Sequence, residues 1–468
     1  MSVKIIVSLF VGRTTEFSYL CAGTGHQAAI PRVWLPYFNT ETMNILVING
    51  SPKGSNSITL HTCLYLEKKF PQHRFAYLAA GQKVRSLEKD FSSALRMLRE
   101  SELVIFCYPV YTFLVPYQLH RFIELMKESG EDFSGKIATQ VSTSKHFYDI
   151  TAHRFIQDNC EDMGIRCLEG LSADMDDLLK EKGRKQAEDW FDFTLWQLTE
   201  PAAAPVAEKK TERRAVIVAD LLPGDDRLKG MIDRFVSVFP YECDVVNIED
   251  FPFQGGCVSC FSCAATGKCA YKDGFDDYLR NTIHKHDAIL YAFRIKDHSM
   301  GARFKMYDDR QFCNGHRTVT MGTPFGYLVE GEYSKEENLR LLLEARAQVG
   351  GNYLAGVATD ETDPDAAVDR LAATLCRAME TRYTPPQNFL GVGGMKIFRD
   401  LIYMMRGLMR ADHKFFKSHG QYDFPQKQWK TSWKMYLVGW LMNNRKLRAK
   451  AGNKMTEGMI GPYKKVLE

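Results

Sequence analysis

The stretch Met43-Asn-Ile-Leu-Val-Ile-Asn49-Gly-Ser-Pro-Lys-Gly-Ser-Asn-Ser57 decides how this chain is read. Asn44–Asn49 is a nearly continuous apolar run, the pattern of a strand buried on both faces of a parallel sheet. A turn rich in Gly and Ser follows, and then a helical pattern to about Phe70. Gly50 and Gly54 permit a tight turn, and Ser51, Ser55, Asn56, Ser57 and Thr59 offer side-chain donors. The helix presents its unpaired N–H groups at the same place, where an anion would also feel the helix dipole and Lys53. The dinucleotide fingerprint Gly-x-Gly-x-x-Gly is absent, as is the Gly-Lys-Ser/Thr ending of a nucleoside-triphosphate loop. A hydroxyl-rich loop of this kind suits a monophosphate, although an N-capped helix after an ordinary turn would show the same residues.

Outward from this stretch, strand and helix alternate. Strands are expected at 75–78, 103–108, 136–141 and 166–168, and helices at about 87–100, 117–129 and 149–163. Such alternation implies an α/β doubly wound parallel sheet, with its ligand at the carboxyl ends of the strands. Residues 199–212, rich in Pro, Ala and charge without a period, read as a linker. The same order then restarts, with strands at 215–219, 244–248, 288–293 and 318–321 and helices at 227–239, 275–285, 302–311 and 336–348. The expected organisation is an N-terminal extension (1–42), a first unit (43–198), the linker, a second unit (213–384) and a basic helical extension (385–468). Met43 reads as the natural start, with residues 1–42 an upstream addition.

The composition agrees with two globular units. Of 468 residues, 45% are hydrophobic and 25% charged, which excludes disorder, collagen-like repeats and a disulfide miniprotein. A net charge of +4 does not point to nucleic acid. It conceals an uneven distribution, because 385–468 carries 16 Lys/Arg against 5 Asp/Glu, a net of +11, and the rest nets −7. In that segment Met395, Phe398, Ile402, Met405 and Met409 follow a helical spacing. The stripe reads as packing on the sheet units, with peripheral membrane contact as the alternative. No apolar run reaches eighteen residues, the apolar stretch Ile5–Val11 is too short for a signal peptide, and a reducing cytoplasm is expected.

Two further loops fall at carboxyl edges. Tyr108-Pro-Val-Tyr-Thr-Phe-Leu-Val-Pro116 follows the third strand, with Pro109, Val110, Tyr111 and Thr112 foremost. Ser142-Thr-Ser-Lys-His-Phe-Tyr148 follows the fourth. A phosphate cradle beside aromatic loops fits a flat ring system attached to a phosphate. Gly50-Ser-Pro-Lys-Gly-Ser-Asn-Ser57 with Pro109-Val-Tyr111 resembles the flavodoxin-like NAD(P)H-dependent FMN reductase family. The resemblance implies that the first loop binds the FMN phosphate and that the Pro-x-Tyr loop packs on the isoalloxazine. Ser142, Thr143, Ser144, His146 and Tyr148 then become candidate ring contacts, with a surface role for His146 or Tyr148 equally open.

The twelve cysteines divide by position. Eight are scattered, and four fall together in Cys257-Val-Ser-Cys260-Phe-Ser-Cys263-Ala-Ala-Thr-Gly-Lys-Cys269, a C-x2-C-x2-C-x5-C pattern. Four thiolates on one loop suit a soft metal centre. The spacing is similar to ferredoxin-type [4Fe–4S] ligation and resembles the compact motif of iron–sulfur flavoproteins, a branch of the same family in which Asp276-Asp277 also has counterparts. Zinc, and no metal at all, remain alternatives. The halves are complementary. The first unit lacks the cysteines, while the turn Asp220-Leu-Leu-Pro-Gly-Asp-Asp226 of the second would repel a phosphate. Phe304-Lys-Met-Tyr-Asp-Asp-Arg310 still resembles the family's Leu-Lys-x-x-x-Asp-Arg helix. The expected function is an FMN-dependent NAD(P)H oxidoreductase, one chain imitating a homodimer, passing electrons to a quinone, flavin or nitro compound or to a redox partner protein. The alternatives are an electron carrier without a nicotinamide site and a cysteine-site scaffold. Homo-oligomerisation is left open, and nucleic acid is not an expected partner.

Overall fold

A computed structural model of the chain describes residues 42–199, 206, 208–251, 253–424, 427–442 and 457–468. The expectations for residues 1–41 and for parts of the linker and C-terminal segment lie outside the described residues.

The first unit is a parallel sheet of β1 (Asn44–Asn49), β2 (Arg74–Leu78), β3 (Leu103–Pro109), β4 (Ile137–Ser144), β5 (Arg166–Cys167) and β6 (Leu171–Asp174). Its order is β2-β1-β3-β4, with β5 and then β6 on the outer edge of β4. The second unit contains β7 (Lys210–Ala219), β8 (Tyr241–Asn247), β9 (Ala288–Arg294), β10 (Phe325–Glu330) and β11 (Leu354–Thr359). Its order, β8-β7-β9-β10-β11, repeats that of the first unit, and every pair is parallel. This is the flavodoxin-like order, expected from the alternation, occurring twice in one chain. In each sheet the chain reverses direction between the first and third strands, which opens a crevice beyond their carboxyl ends.

Some boundaries differ from the sequence reading for local reasons. The helix expected at 87–100 is two helices, Ala80–Leu87 and Ser92–Glu100, separated by a turn in which the Asp90 carboxylate accepts from the Ser92 N–H at 3.0 Å. The first of them presses its backbone on the loop after β1, since a Cβ at Gly81 would lie 2.2 Å from the Ser51 carbonyl oxygen. The fourth strand of the second unit is Phe325–Glu330, not Thr318–Met321, which forms turns. The β-branched residues of 318–321 suggested a strand, but the Asn352 amide ties the following loop through the Thr323 carbonyl at 2.9 Å. β10 contains Gly326, accepted there because a side chain would meet Leu371 at 3.0 Å. β7 begins at Lys210, inside the stretch read as linker.

The units share one apolar cluster, in which Trp190, Phe191 and Phe193 of the helix Glu181–Leu198 meet Tyr353, Ala378 and Tyr383. Phe193 stacks on Tyr383 at 4.3 Å, and Arg154–Glu344 and Arg377–Asp192 bridge the units at 2.8 Å each. The C-terminal helices Phe389–Met404 and Arg410–Ser418 lie over the second unit's cysteine loop. All five residues of the expected stripe, Met395, Phe398, Ile402, Met405 and Met409, are in the cluster that covers Ala264. Residues 457–467 then return to the first unit, where Ile460 and Tyr463 pack with Tyr65 and Leu178. Among the described residues no helix is long and apolar enough to cross a membrane.

Candidate functional site

The turn after β1 is organised from within by buried Asn49. Its amide donates to the Gly54 carbonyl at 3.2 Å and its side-chain oxygen accepts from the Ser51 N–H at 3.1 Å. Gly54 has φ +53°, a left-handed backbone that favours glycine, and the end of the Gln82 side chain lies against it. Ser57 caps the helix Ile58–Lys69 by accepting from the Leu60 N–H at 3.4 Å on its side chain and from the His61 N–H at 3.2 Å on its carbonyl, and Ser57, Ile58 and Thr59 line the crevice. The Thr59 and Thr143 hydroxyls lie 2.5 Å apart and tie this turn to the end of β4.

The opposite wall is aromatic. Tyr111 and Leu114 exchange backbone hydrogen bonds at 2.8 and 3.1 Å around a two-residue turn, Thr112-Phe113. Both turn residues are left-handed, at φ +48° and +72°, a geometry usually given to Asn or Gly. The Thr151 hydroxyl holds the turn by donating to the Phe113 carbonyl. Non-glycine residues held in this region of backbone space cluster at functional sites in proteins. Tyr111, Phe113 and Phe147 close a cleft of about 250 Å³. Lys53 and Lys145 line it, and no Asp or Glu does. Lys145 is partly neutralised by Asp174 and Asp176, at 2.8 and 2.9 Å.

Of the sequence candidates, Ser51, Lys53, Ser57, Thr59, Pro109, Val110, Tyr111, Thr112, Thr143 and Ser144 are brought together around this cleft. Gly54, Ser55 and Asn56 form the short 3-10 turn that shapes the loop. Ser142 lies apart, fully buried, with its hydroxyl 2.8 Å from Nε2 of His153, whose pKa burial lowers to about 4. His146 is buried too, its Nδ1 2.9 Å from the Asp149 carboxylate. Tyr148 stacks on Phe389 at 4.4 Å. His146 and Tyr148 therefore join the first unit to the C-terminal segment and do not line the cleft. Asp149 completes that joint by accepting from the Ser172 hydroxyl at 2.6 Å and the Phe389 N–H at 2.8 Å. Burial pushes its carboxyl up, but the hydrogen bonds from His146, Ser172 and Phe389 outweigh it and hold it below the usual range. Sequence reasoning missed Ile58, Phe113, Lys145, Phe147 and Met175. Phe113, Lys145 and Phe147 stand within the quoted loops, whereas Met175 follows β6, which the sequence reading does not include.

The corresponding place in the second unit is filled by its own charges. Buried Asp220 is gripped by Arg303. Asp225 pairs with Arg294 at 3.0 Å, and Arg294 also holds Glu330 at 2.8 Å. Glu330, at the end of β10, reaches the start of the helix Asp226–Val238 and accepts from the Leu228 N–H at 3.2 Å. An internal carboxylate takes the position that an anionic ligand would take at a helix N-terminus.

The cysteines occupy a second cavity, of about 150 Å³. Cys257, Cys260, Cys263 and Cys269 line it together with Cys313 and the rings of Phe261, Tyr271 and Phe312. Ser259 and Phe261, between the cysteines, are left-handed at φ +50° and +59°. Arg310, 1% exposed, anchors the loop. It makes two 2.8 Å bonds to Asp273 and one of 2.9 Å to the Gly255 carbonyl, and lies 4.4 Å from the Tyr271 ring centroid. Those bonds hold the Asp273 carboxyl down at about 2. Asp276 accepts from the Cys269 N–H at 3.1 Å. Burial, and then Asp412, push the Cys263 thiol up; burial takes Cys313 to about 12. The donor chemistry is that of a soft metal site. As placed, however, among the described residues no three or more His, Cys, Asp or Glu side chains are gathered to hold a metal ion.

The chain is similar to an iron–sulfur flavoprotein of Archaeoglobus fulgidus, 27% identical over 173 residues, covering 35% of this chain and 78% of the relative. Among solved structures it is similar to an FMN-dependent NADH-azoreductase from Bacillus anthracis, with 11% identity, 34% of this chain and 100% of that one covered, and a TM-score of 0.27. A flavoenzyme NAD(P)H:(acceptor) oxidoreductase from Paracoccus denitrificans shows 16% identity over 34% of this chain and 98% of that one, with a TM-score of 0.29. The fold assignment rests on the strand order and not on these superpositions. The part of the chain that holds the hydroxyl turn and the aromatic loop, residues 43–151, matches the family of NADPH-dependent FMN reductases.

Proposed function

We propose that this chain is an FMN-dependent NAD(P)H oxidoreductase acting on a small acceptor such as a quinone, a flavin or a nitro compound. The observation that carries the reading is a helix N-terminus lined by hydroxyls, free of carboxylates and set against an aromatic wall at the β1/β3 crevice. The Ser51, Ser57 and Thr59 hydroxyls, the first-turn N–H groups and Lys53 would hold the phosphate. Tyr111, Phe113 and Phe147 would cover the ring and keep water from it, and no side chain is needed as a covalent nucleophile. FMN bound there supplies the transfer of hydride and electrons between nicotinamide and acceptor. The name of the Archaeoglobus relative and the cysteine spacing support a [4Fe–4S] group on Cys257, Cys260, Cys263 and Cys269. Because the thiols are not gathered, no step is routed through it.

Anaerobic purification followed by a visible spectrum and by FMN, iron and zinc analysis tests both parts. Bound FMN should bleach rapidly on mixing with NADH or NADPH alone. Bleaching only after addition of a separate reductase would make the chain an electron carrier, and absence of flavin would overturn the proposal.

A further inference from the structure

We propose that the helix Trp429–Met442 is an interfacial anchor that docks this protein on anionic lipid bilayers. Trp429, Trp433, Tyr436 and Trp440 are 71–77% exposed. At 100° per residue they fall within an arc of about 60° on the helix. Val438, on the opposite side, is 7% exposed. The ring stripe lies open, and among the described residues its one ring pairing is the Trp433–Tyr436 contact within the helix itself.

The chemistry of this face fits one partner. Indole and phenol rings, apolar in body and polar at one edge, favour the headgroup level of a bilayer. Lys430 flanks the stripe, about 60° round the helix from Trp433, and from Phe424 to Thr456 the sequence holds eight Lys or Arg and no Asp or Glu. A second copy meeting this face symmetrically would bring the lysines of both helices together with no acid to pair them, whereas anionic headgroups satisfy them. Described residues before and after the helix in sequence pack on the body. Before it, Tyr422 belongs to the cluster over the cysteine loop. After it, the Tyr463 hydroxyl donates to the Met175 carbonyl at 2.9 Å, and Met175 lines the cleft of the first unit.

The test uses the full chain and sucrose-loaded vesicles made of one part phosphatidylglycerol to two parts phosphatidylcholine. Co-sedimentation should be about tenfold tighter than on pure phosphatidylcholine, and should weaken with salt. The pair Trp433→Ser with Trp440→Ser should lose at least about tenfold in affinity at an unchanged thermal midpoint, since both side chains are exposed. Brominated lipid in the same vesicles should quench the wild-type tryptophan fluorescence, and should quench the double variant less. None of these readouts involves flavin, so they stand or fall apart from the proposed activity. Equal sedimentation of wild type and double variant, or no quenching, would overturn the proposal. So would a vesicle-independent dimer that the double variant abolishes, which would assign the face to a second copy.

Discussion

The turns Asn49–Ser57 and Asp220–Asp226 stand at the same place in two copies of one sheet, and each leads into a helix whose N-terminus faces the crevice. In the first, the buried polar residue at the strand end is Asn49, which satisfies only the turn itself. In the second it is Asp220, held by Arg303, while Glu330 comes from the fourth strand to meet the Leu228 N–H. A helix N-terminus attracts negative charge in both cases. One unit leaves that place open, and the other fills it from its own chain. The difference teaches that one strand order can carry an open turn in one copy and a filled turn in the other, with the sheet unchanged.

The strongest way to break this comparison is to bring a carboxylate into the open turn. Ser57→Asp should keep the helix, because Asp is a good N-cap, yet a charge about 4 Å from a phosphate costs about 4 kcal/mol near a protein surface. Retention of FMN after gel filtration should fall by more than about 100-fold, and a flavin-loaded variant would count against the cleft. The reciprocal change, Glu330→Gln, should leave FMN content unaltered. It should lower stability to denaturant by about 2 kcal/mol by uncoupling Arg294 and the Leu228 N–H from a charged acceptor. A change in flavin stoichiometry with this variant would show that the filled turn binds after all.

A pH series sharpens the comparison within the first unit. Burial lowers His153 from 6.5 to about 4, so it is neutral in the folded chain and protonated in the unfolded chain between those values. The stability it supports is complete above pH 6.5 and is lost as pH falls towards 4. His153→Gln should remove about 2 kcal/mol of that pH dependence, read from thermal midpoints at pH 7 and 5. The smallest effect concerns the strained turn. Thr112→Asn should raise stability by about 0.5 kcal/mol, since Asn accepts a left-handed backbone better than a β-branched residue. No gain in thermal midpoint would show that Thr112 is not strained.

Much of this was legible because buried parallel strands announce themselves as apolar runs. The runs at 44–49, 103–108 and 288–293 are read that way, each within one residue of the strand the structure shows, and their order carries the fold. The cleft was legible where its residues follow a strand directly, as Ser51–Thr59 and Pro109–Thr112 do. It failed where tertiary contacts decide. β4 runs on to Ser144, three residues past the reading, and so Ser142 points into the core at His153. β10 was displaced because Gly326 weakens its pattern and is explained only by Leu371 packed upon it. Glu330 as the filler of the second turn could not be read, since it comes from a strand more than a hundred residues away.

Two carboxylates described above, Asp149 and Asp412, are completely buried, and both lie on seams between the C-terminal segment and a sheet unit. Asp149 receives the Phe389 N–H from that segment. Asp412 belongs to it and receives the His316 backbone N–H and Nδ1 of the second unit at 3.1 and 3.0 Å. A chain shortened to end at Thr384 would lose a donor to one buried anion and the whole of the other. Its cysteine loop would also stand uncovered at Ala264. Residues 389–418 are thus part of the folded unit, and fragments that end before them would report on a different molecule.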